Sequence, residues 1–235
     1  MNILITSGGT SEKIDDVRSI TNSSTGRLGC AIAEAFATLP QTSRIFYLHS
    51  KGAAKPSNAK TTFIEIEGVD SLETEIKNLF ADFPVDIIIH AMAVSDYKVA
   101  SVSAISTKGG TPKFLDLSAQ GGKISSDAES LILILEKTQK IIKMFRPLAP
   151  HAVLVGFKLL SNVPRETLFE AAQKLMAASS CDFVLANDGA GISGDSHVGY
   201  LLDKAGNNTK YLTKTHIAQG ITHAALNFRR DESHE

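Results

Sequence analysis

The sequence has no tryptophan and only two cysteines among its 235 residues. Cys30 and Cys181 cannot build a disulfide framework or a cysteine zinc site, and no C-x-x-C spacing occurs, which fits a reducing cytoplasm. Charge of neither sign is in excess. With 24 lysines and arginines against 25 aspartates and glutamates, no global field would hold the chain on nucleic acid or an anionic membrane. Long apolar runs are also missing: none approaches the roughly 20 residues of a membrane span. The opening Met1-Asn-Ile-Leu-Ile-Thr6 lacks the parts of a signal peptide. The seven histidines are scattered without metal-ligand spacing, so no metal site made of protein ligands is expected. The partners expected of such a chain are small molecules or copies of itself. Its length suits a single domain, 1–235.

What is present is an α/β pattern. Apolar runs rich in β-branched residues at 2–6, 44–49, 86–90 and 152–158 alternate with helix-period stretches at 27–38, 71–82, 138–145, 165–178 and 215–228. A further strand is read at 183–186. The alternation predicts a Rossmann-like, three-layer, mostly parallel sheet with helices on both faces. Val163-Pro164 introduces the fourth helix, with proline suited to a first helical position. Two segments break the rhythm. Residues 99–122, rich in Ser, Thr, Gly and Lys, read as a lid, a binding loop or a projecting hairpin. The runs 197–203 and 210–213 flank Gly206-Asn207-Asn208 and read as a small antiparallel hairpin extending the sheet, with dimerisation as its expected role. The polar tail 229–235 reads as frayed.

The first strand ends in Ser7-Gly8-Gly9-Thr10, and Asn22-Ser23-Ser24-Thr25-Gly26-Arg27-Leu28-Gly29 opens the first helix. Glycines that admit a ligand close to the backbone, at a helix N-terminus, suit a phosphate; a turn needing glycine for geometry alone is the other reading. No lysine follows in P-loop register. Between the clusters, Arg18 and Asn22 offer a guanidinium fork and an amide to an anionic or carbonyl-bearing ligand, while an ion pair from Arg18 to Asp15 or Asp16 is the plainer alternative. Asp96 follows the 86–90 strand, where ligands of open α/β sheets bind, and would serve equally as a helix cap.

These residues carry a resemblance. Ile5-Thr-Ser-Gly-Gly-Thr10, Val17-Arg-Ser-Ile-Thr-Asn22 with Ser24-Thr-Gly26 and Gly29, Ala93-Val-Ser-Asp-Tyr97, Lys123-Ile-Ser-Ser126, Lys137-Thr-Gln-Lys-Ile-Ile142, Val155-Gly-Phe-Lys158 and Ala186-Asn-Asp188 stand in the order found in phosphopantothenate-cysteine ligases. The chain resembles the stand-alone bacterial form, without the flavin-dependent decarboxylase domain that many bacteria fuse ahead of it. The resemblance implies an acid–amino-acid ligase of coenzyme A biosynthesis that joins 4'-phosphopantothenate to L-cysteine through an acyl-cytidylate. It implies CTP as co-substrate, Mg²⁺ held mainly by phosphates and water, a homodimer, and a separate decarboxylase acting next.

By the same resemblance, Gly8, Ser24, Gly26 and Gly29 line the nucleotide phosphates, with Phe157 and Asn187 nearer its base and ribose. Arg18, Asn22, Met92, Ala93 and Asp96 hold phosphopantothenate, Arg18 reaching from the partner subunit, and Asn22 acts on the acyl intermediate. Lys123 places positive charge on the α-phosphate, although the residue by itself reads as a solvated loop lysine, and Phe157 by itself as core. There are departures: Met92-Ala93 replaces two alanines, Gln139 replaces a proline, and the 99–122 insertion makes Lys108 and Lys113 rivals of Lys123. Two other functions compete, a short-chain NAD(P)-dependent oxidoreductase and a non-catalytic nucleotide sensor. The oxidoreductase reading finds Tyr-x-x-x-Lys at Tyr47–Lys51 and Tyr200–Lys204, but both lie in strand-like patterns, whereas that pair belongs on a helix.

Overall fold

The computed structural model describes residues 1–106, 113–117, 122–125, 130–193 and 196–232. In chain order the first half contains strands β1 (Asn2–Ser7), β2 (Ser11–Lys13) and β3 (Ser19–Thr21), helix α1 (Arg27–Ala37), β4 (Arg44–Ser50), β5 (Thr61–Ile66), α2 (Val69–Asp82) and β6 (Ile87–His90). Then come β7 (Tyr97–Ser106), β8 (Lys113–Asp116), β9 (Ser130–Lys137), α3 (Ile142–Leu148), β10 (Val153–Leu160) and α4 (Arg165–Ser179). The chain closes with β11 (Phe183–Ser193), β12 (Ser196–Asp203), β13 (Asn208–Thr213) and α5 (Lys214–Glu232).

Eight strands form one sheet in the order β13-β12-β11-β10-β6-β1-β4-β5. From β5 to β11 all neighbours are parallel, while β12 and β13 add antiparallel. Period-2 alternation decides the layers. Ile3 and Ile5 of β1 pack with Ile45, Ile87, Val153 and the inner faces of α1 and α5. Leu4 points the other way, into a core shared with Leu48, Ile88, Leu154 and α2, α3 and α4. With both faces covered, these strands carry apolar side chains at successive positions, as central parallel strands do. The chain runs outward from β1 to β4 and β5, then returns to β6 on the other side of β1. A crevice opens at such a reversal, at the carboxyl ends of β1 and β6.

Several boundaries differ from the sequence reading. Thr138 is held outside the third helix because its N–H donates to the Asp96 carbonyl (3.0 Å) and its hydroxyl to that of Ser95 (2.6 Å), so α3 starts at Ile142. Pro164 precedes α4 rather than occupying its first position, and its carbonyl accepts the Leu168 N–H. Helix α5 continues into the tail as far as Glu232, and residues 233–235 lie outside the described residues. Within 99–122, the strand β7 pairs with β8 and with β9 in a separate three-stranded antiparallel sheet. Residues 107–112 and 118–121, and with them Lys108, lie outside the described residues. The edge strand β5 is absent from the sequence reading because its polar residues dilute any apolar run. Among the described residues no helix is long and apolar enough to cross a membrane.

Among the described residues His49, His90 and His197 are buried, and the last two are shifted by that burial. His90 bonds the Thr6 hydroxyl at 2.8 Å, and His197 lies against Asn187. Burial pushes both down to about 4; for His197 the nearby Lys214 adds to the effect. Because both values are depressed, the unfolded chain takes up protons between about pH 6.5 and 4 that the folded chain refuses. Stability is therefore expected to fall with acidification across that window, by about 2 kcal/mol for each histidine. Denaturant titrations at pH 7 and 4.5 measure it, and His90→Gln is expected to remove about half of this histidine contribution.

Candidate functional site

Three stretches of backbone meet beyond the ends of β1 and β6. Gly9 bridges to Ala93, the Ala93 N–H donates to the Gly8 carbonyl (2.9 Å), and the Thr10 N–H donates to the Ala93 carbonyl (3.1 Å). Thr10 also takes the Asn22 N–H on its carbonyl (3.0 Å) and the Ser95 N–H on its hydroxyl (2.9 Å). Gly8, Asn22, Ala93 and the loop leading to Asp96 are thereby brought together around the fully buried Thr10. Sequence reasoning missed Thr10 as this hub. Its place at the end of the Ser-Gly-Gly-Thr turn is the one signal that could have found it.

Each glycine here has a packing reason. A Cβ on Gly9 would lie 1.6 Å from the Asn22 carbonyl oxygen, and one on Gly8, at φ 91°, would lie 2.2 Å from the Ser50 hydroxyl. A Cβ on Gly29 would meet the Ser7 Oγ at 2.4 Å, where that hydroxyl donates to the Gly26 carbonyl (3.1 Å). Gly26 occupies the left-handed region (φ 69°) as N-cap of α1; no side chain caps this end and no acidic residue stands in its first turn. The positive end of the helix thus faces the cradle without a competing carboxylate, with Ser24 exposed beside it, which suits an anionic ligand.

On the β6–β10 side lies a cleft of about 490 Å³ lined by Met92, Asp96, Phe157, Lys140, Lys143 and Lys158, among others. Asp96 caps no helix; its exposed carboxylate is paired with Lys140. Phe157 lines the cleft and also packs on the α1/α5 core, so the stacking and core readings both describe it in part. The three lysines, to which the sequence reading gave no role, outnumber Asp96 and suit the cleft to anions. Asn187 is buried one strand further on, its Oδ1 accepting from His197 Nε2 at 3.0 Å and filling the space above Gly199. Nothing in sequence spacing pairs His197 with Asn187; β12 had to be placed beside β11 first.

The β2–β3 hairpin carries Arg18, whose guanidinium bonds Asp15 at 2.9 Å, the plainer alternative of the sequence reading. Burial opposes the charge on Asp15. N–H groups of Val17, Ile124 and Arg18, then the Arg18 charge, outweigh it and hold the carboxyl below the usual range. Lys123 adjoins Ile124 with its side chain exposed, and Lys113 begins β8. Glu12, buried at the base of the hairpin, accepts the Val69 N–H (2.9 Å) and so caps α2, whose N-cap Gly68 has no side chain to do so. Tyr47 is fully buried on β4, where it cannot act with Lys51 on a substrate.

The model of the DNA/pantothenate metabolism flavoprotein C-terminal domain family matches residues 1–228. The chain is 32% identical over 185 residues to a coenzyme A biosynthesis bifunctional protein CoaBC of Thermococcus kodakarensis, covering 79% of this chain and 40% of that protein. It therefore spans less than half the length of that relative. The crystal structure of the DNA/pantothenate metabolism flavoprotein from Streptococcus pneumoniae superposes with a TM-score of 0.83 at 34% identity, over 97% of this chain and 99% of that one. The C-terminal domain of a bifunctional protein CoaBC superposes with a TM-score of 0.72 at 25% identity, over 98% of each.

The crowding at Gly9 yields a test. Gly9→Ala is expected to destabilise by about 3 kcal/mol or to break the Asn22–Thr10 hydrogen bond, because the clash is with backbone. Gly52→Ala, at φ 80° in open space, is expected to cost only about 1 kcal/mol. Denaturant melts with amide exchange at Asn22 compare the two; equal costs would refute the packing role.

Proposed function

The chain belongs to the DNA/pantothenate metabolism flavoprotein C-terminal domain family, and from that membership we propose that it is a phosphopantothenate-cysteine ligase. The observation that carries the proposal is that the family match spans every motif loop, and that the first and third of these loops meet at Gly9 and Thr10. In the proposed reaction a carboxylate oxygen of 4'-phosphopantothenate attacks the α-phosphorus of CTP and pyrophosphate leaves. The amine of L-cysteine then attacks the acyl carbon, releasing CMP and a proton.

Each step asks something of this chain. Two anions must approach, so the α1 N-terminus and the cradle of Gly8, Ser24, Gly26 and Gly29 hold the nucleotide phosphates. Phe157 and Asn187 are assigned to its base and ribose, Arg18, Met92, Ala93 and Asp96 to phosphopantothenate. Lys123 offsets charge that builds on the α-phosphate. Asn22, its backbone fixed by Thr10, turns its amide to the acyl intermediate. Mg²⁺, carried in by the triphosphate, would further neutralise the phosphate oxygens.

A homodimer is part of the proposal, with Arg18 acting across it. Among exposed large apolar side chains, β9 offers Leu131, Ile132, Ile134 and Leu135, whereas the 197–213 hairpin offers Leu212. The three-stranded sheet is thus the stronger candidate for the dimer surface. A decarboxylase is the enzyme that takes the product next.

Purified protein with CTP and Mg²⁺ is expected to release pyrophosphate only when 4'-phosphopantothenate is added; release without it, or NADPH oxidation in its place, would sink the proposal. Lys123→Gln is expected to slow adduct formation by about a hundredfold, since losing one preorganised charge commonly costs about 3 kcal/mol. In Asn22→Asp the cytidylyl adduct is expected to accumulate and be seen by mass spectrometry; its absence would remove the role given to Asn22.

A further inference from the structure

Asp15 sits at the tip of the β2–β3 hairpin beside Val17, which is 63% exposed, yet its own side chain is only 2% exposed. Four hydrogen bonds account for this. Oδ1 accepts the N–H groups of Val17 (2.9 Å) and Arg18 (2.8 Å), the arrangement of an ordinary aspartate turn. Oδ2 has no part in that turn. It accepts Arg18 Nη1 at 2.9 Å and the backbone N–H of Ile124 at 3.1 Å, across 109 residues of chain. Arg18 Nη1 also reaches the Ile124 carbonyl at 3.5 Å. Ile124 buries its side chain, while its neighbour Lys123 is exposed.

We infer that Asp15 is a positioning residue: one of its oxygens shapes the hairpin, and the other fixes the guanidinium of Arg18 and the Lys123–Ile124 backbone in a set relation. The inference rests on the proposed function for the roles of Arg18 and Lys123, but not for the geometry of the link. A turn-forming aspartate would need only Oδ1. The two donors on Oδ2 belong to the two segments that the ligase reading sends to opposite anions, the acyl substrate and the nucleotide. A single carboxylate between them locks both segments into one unit, so that the arm sent across the dimer to the partner's acyl substrate and the arm sent to the nucleotide are preorganised together.

The two oxygens can be separated experimentally. Asp15→Asn keeps an acceptor for the turn and sets an NH₂ against the Arg18 and Ile124 donors. Asp15→Ser keeps the turn through its hydroxyl and is too short to reach Ile124. In both variants the amide of Ile124 is expected to exchange about tenfold faster or more, while those of Val17 and Arg18 in Asp15→Asn change little. Pyrophosphate release is expected to fall about tenfold, and to fall much less when Asp15→Asn is introduced into Lys123→Gln, because the second change then acts on an arm already lost. Unchanged Ile124 exchange, or losses that multiply fully in the double variant, would overturn the inference. If the wild-type chain itself releases no pyrophosphate with 4'-phosphopantothenate, the functional reading fails, and the exchange measurement still decides the link.

Discussion

The constraint on which the site depends is the absence of any side chain at Gly9. The Asn22 carbonyl oxygen occupies the place where a methyl group would stand, and Ala93 pairs with the opposite edge of the same residue. Three segments separated by many residues can approach this closely only because one of them contributes nothing but backbone. Thr10 then satisfies the polar groups that the approach buries, taking one N–H on its carbonyl and another on its hydroxyl. Buried backbone groups without such partners would have made the convergence costly.

From this point the site extends in two directions. Toward β4, Ser50 accepts the Gly9 N–H and α1 rests on Ser7 through Gly29, which leaves the helix end uncapped and turned toward the crevice. Toward β10, the loop through Ser95 and Asp96 holds Thr138 and forms one wall of the lysine-lined cleft. The two directions differ in character: one offers backbone donors in a tight cradle, the other offers long cationic side chains around an open space. Under the proposed function the tight cradle suits the nucleotide phosphates and the open cationic space a second anion.

The sequence made the central strands legible because both of their faces are buried; Ile3, Leu4 and Ile5 leave no polar gap for a competing period. It failed at β5, where Thr61, Thr62 and Glu65 on an edge strand mimic a loop; at β9 the apolar run Leu131 to Leu135 is present in the sequence but lies outside the alternation that marks the main sheet. Of the site, the local features could be read: the glycine turns, and the i,i+3 pair of Asp15 with Arg18. The contact of Asp15 with Ile124 and that of His197 with Asn187 could not, because tertiary packing brings those residues together and neither spacing nor composition encodes it.

The β2–β3 hairpin has three residues in each strand and, among the described residues, pairs with no other strand. Two such short strands have no independent stability, so the hairpin exists through distant anchors: Glu12 on α2, Thr10 against Ser95, and Asp15 on Ile124. Each anchor closes a long loop, whose entropy must be met before the contact gives anything back. The hairpin is accordingly expected to open locally at a lower free energy than the core. Any ligand that ties Asn22 to the rest of the crevice closes the same loops a second time, and would raise the free energy of that local opening without touching the core.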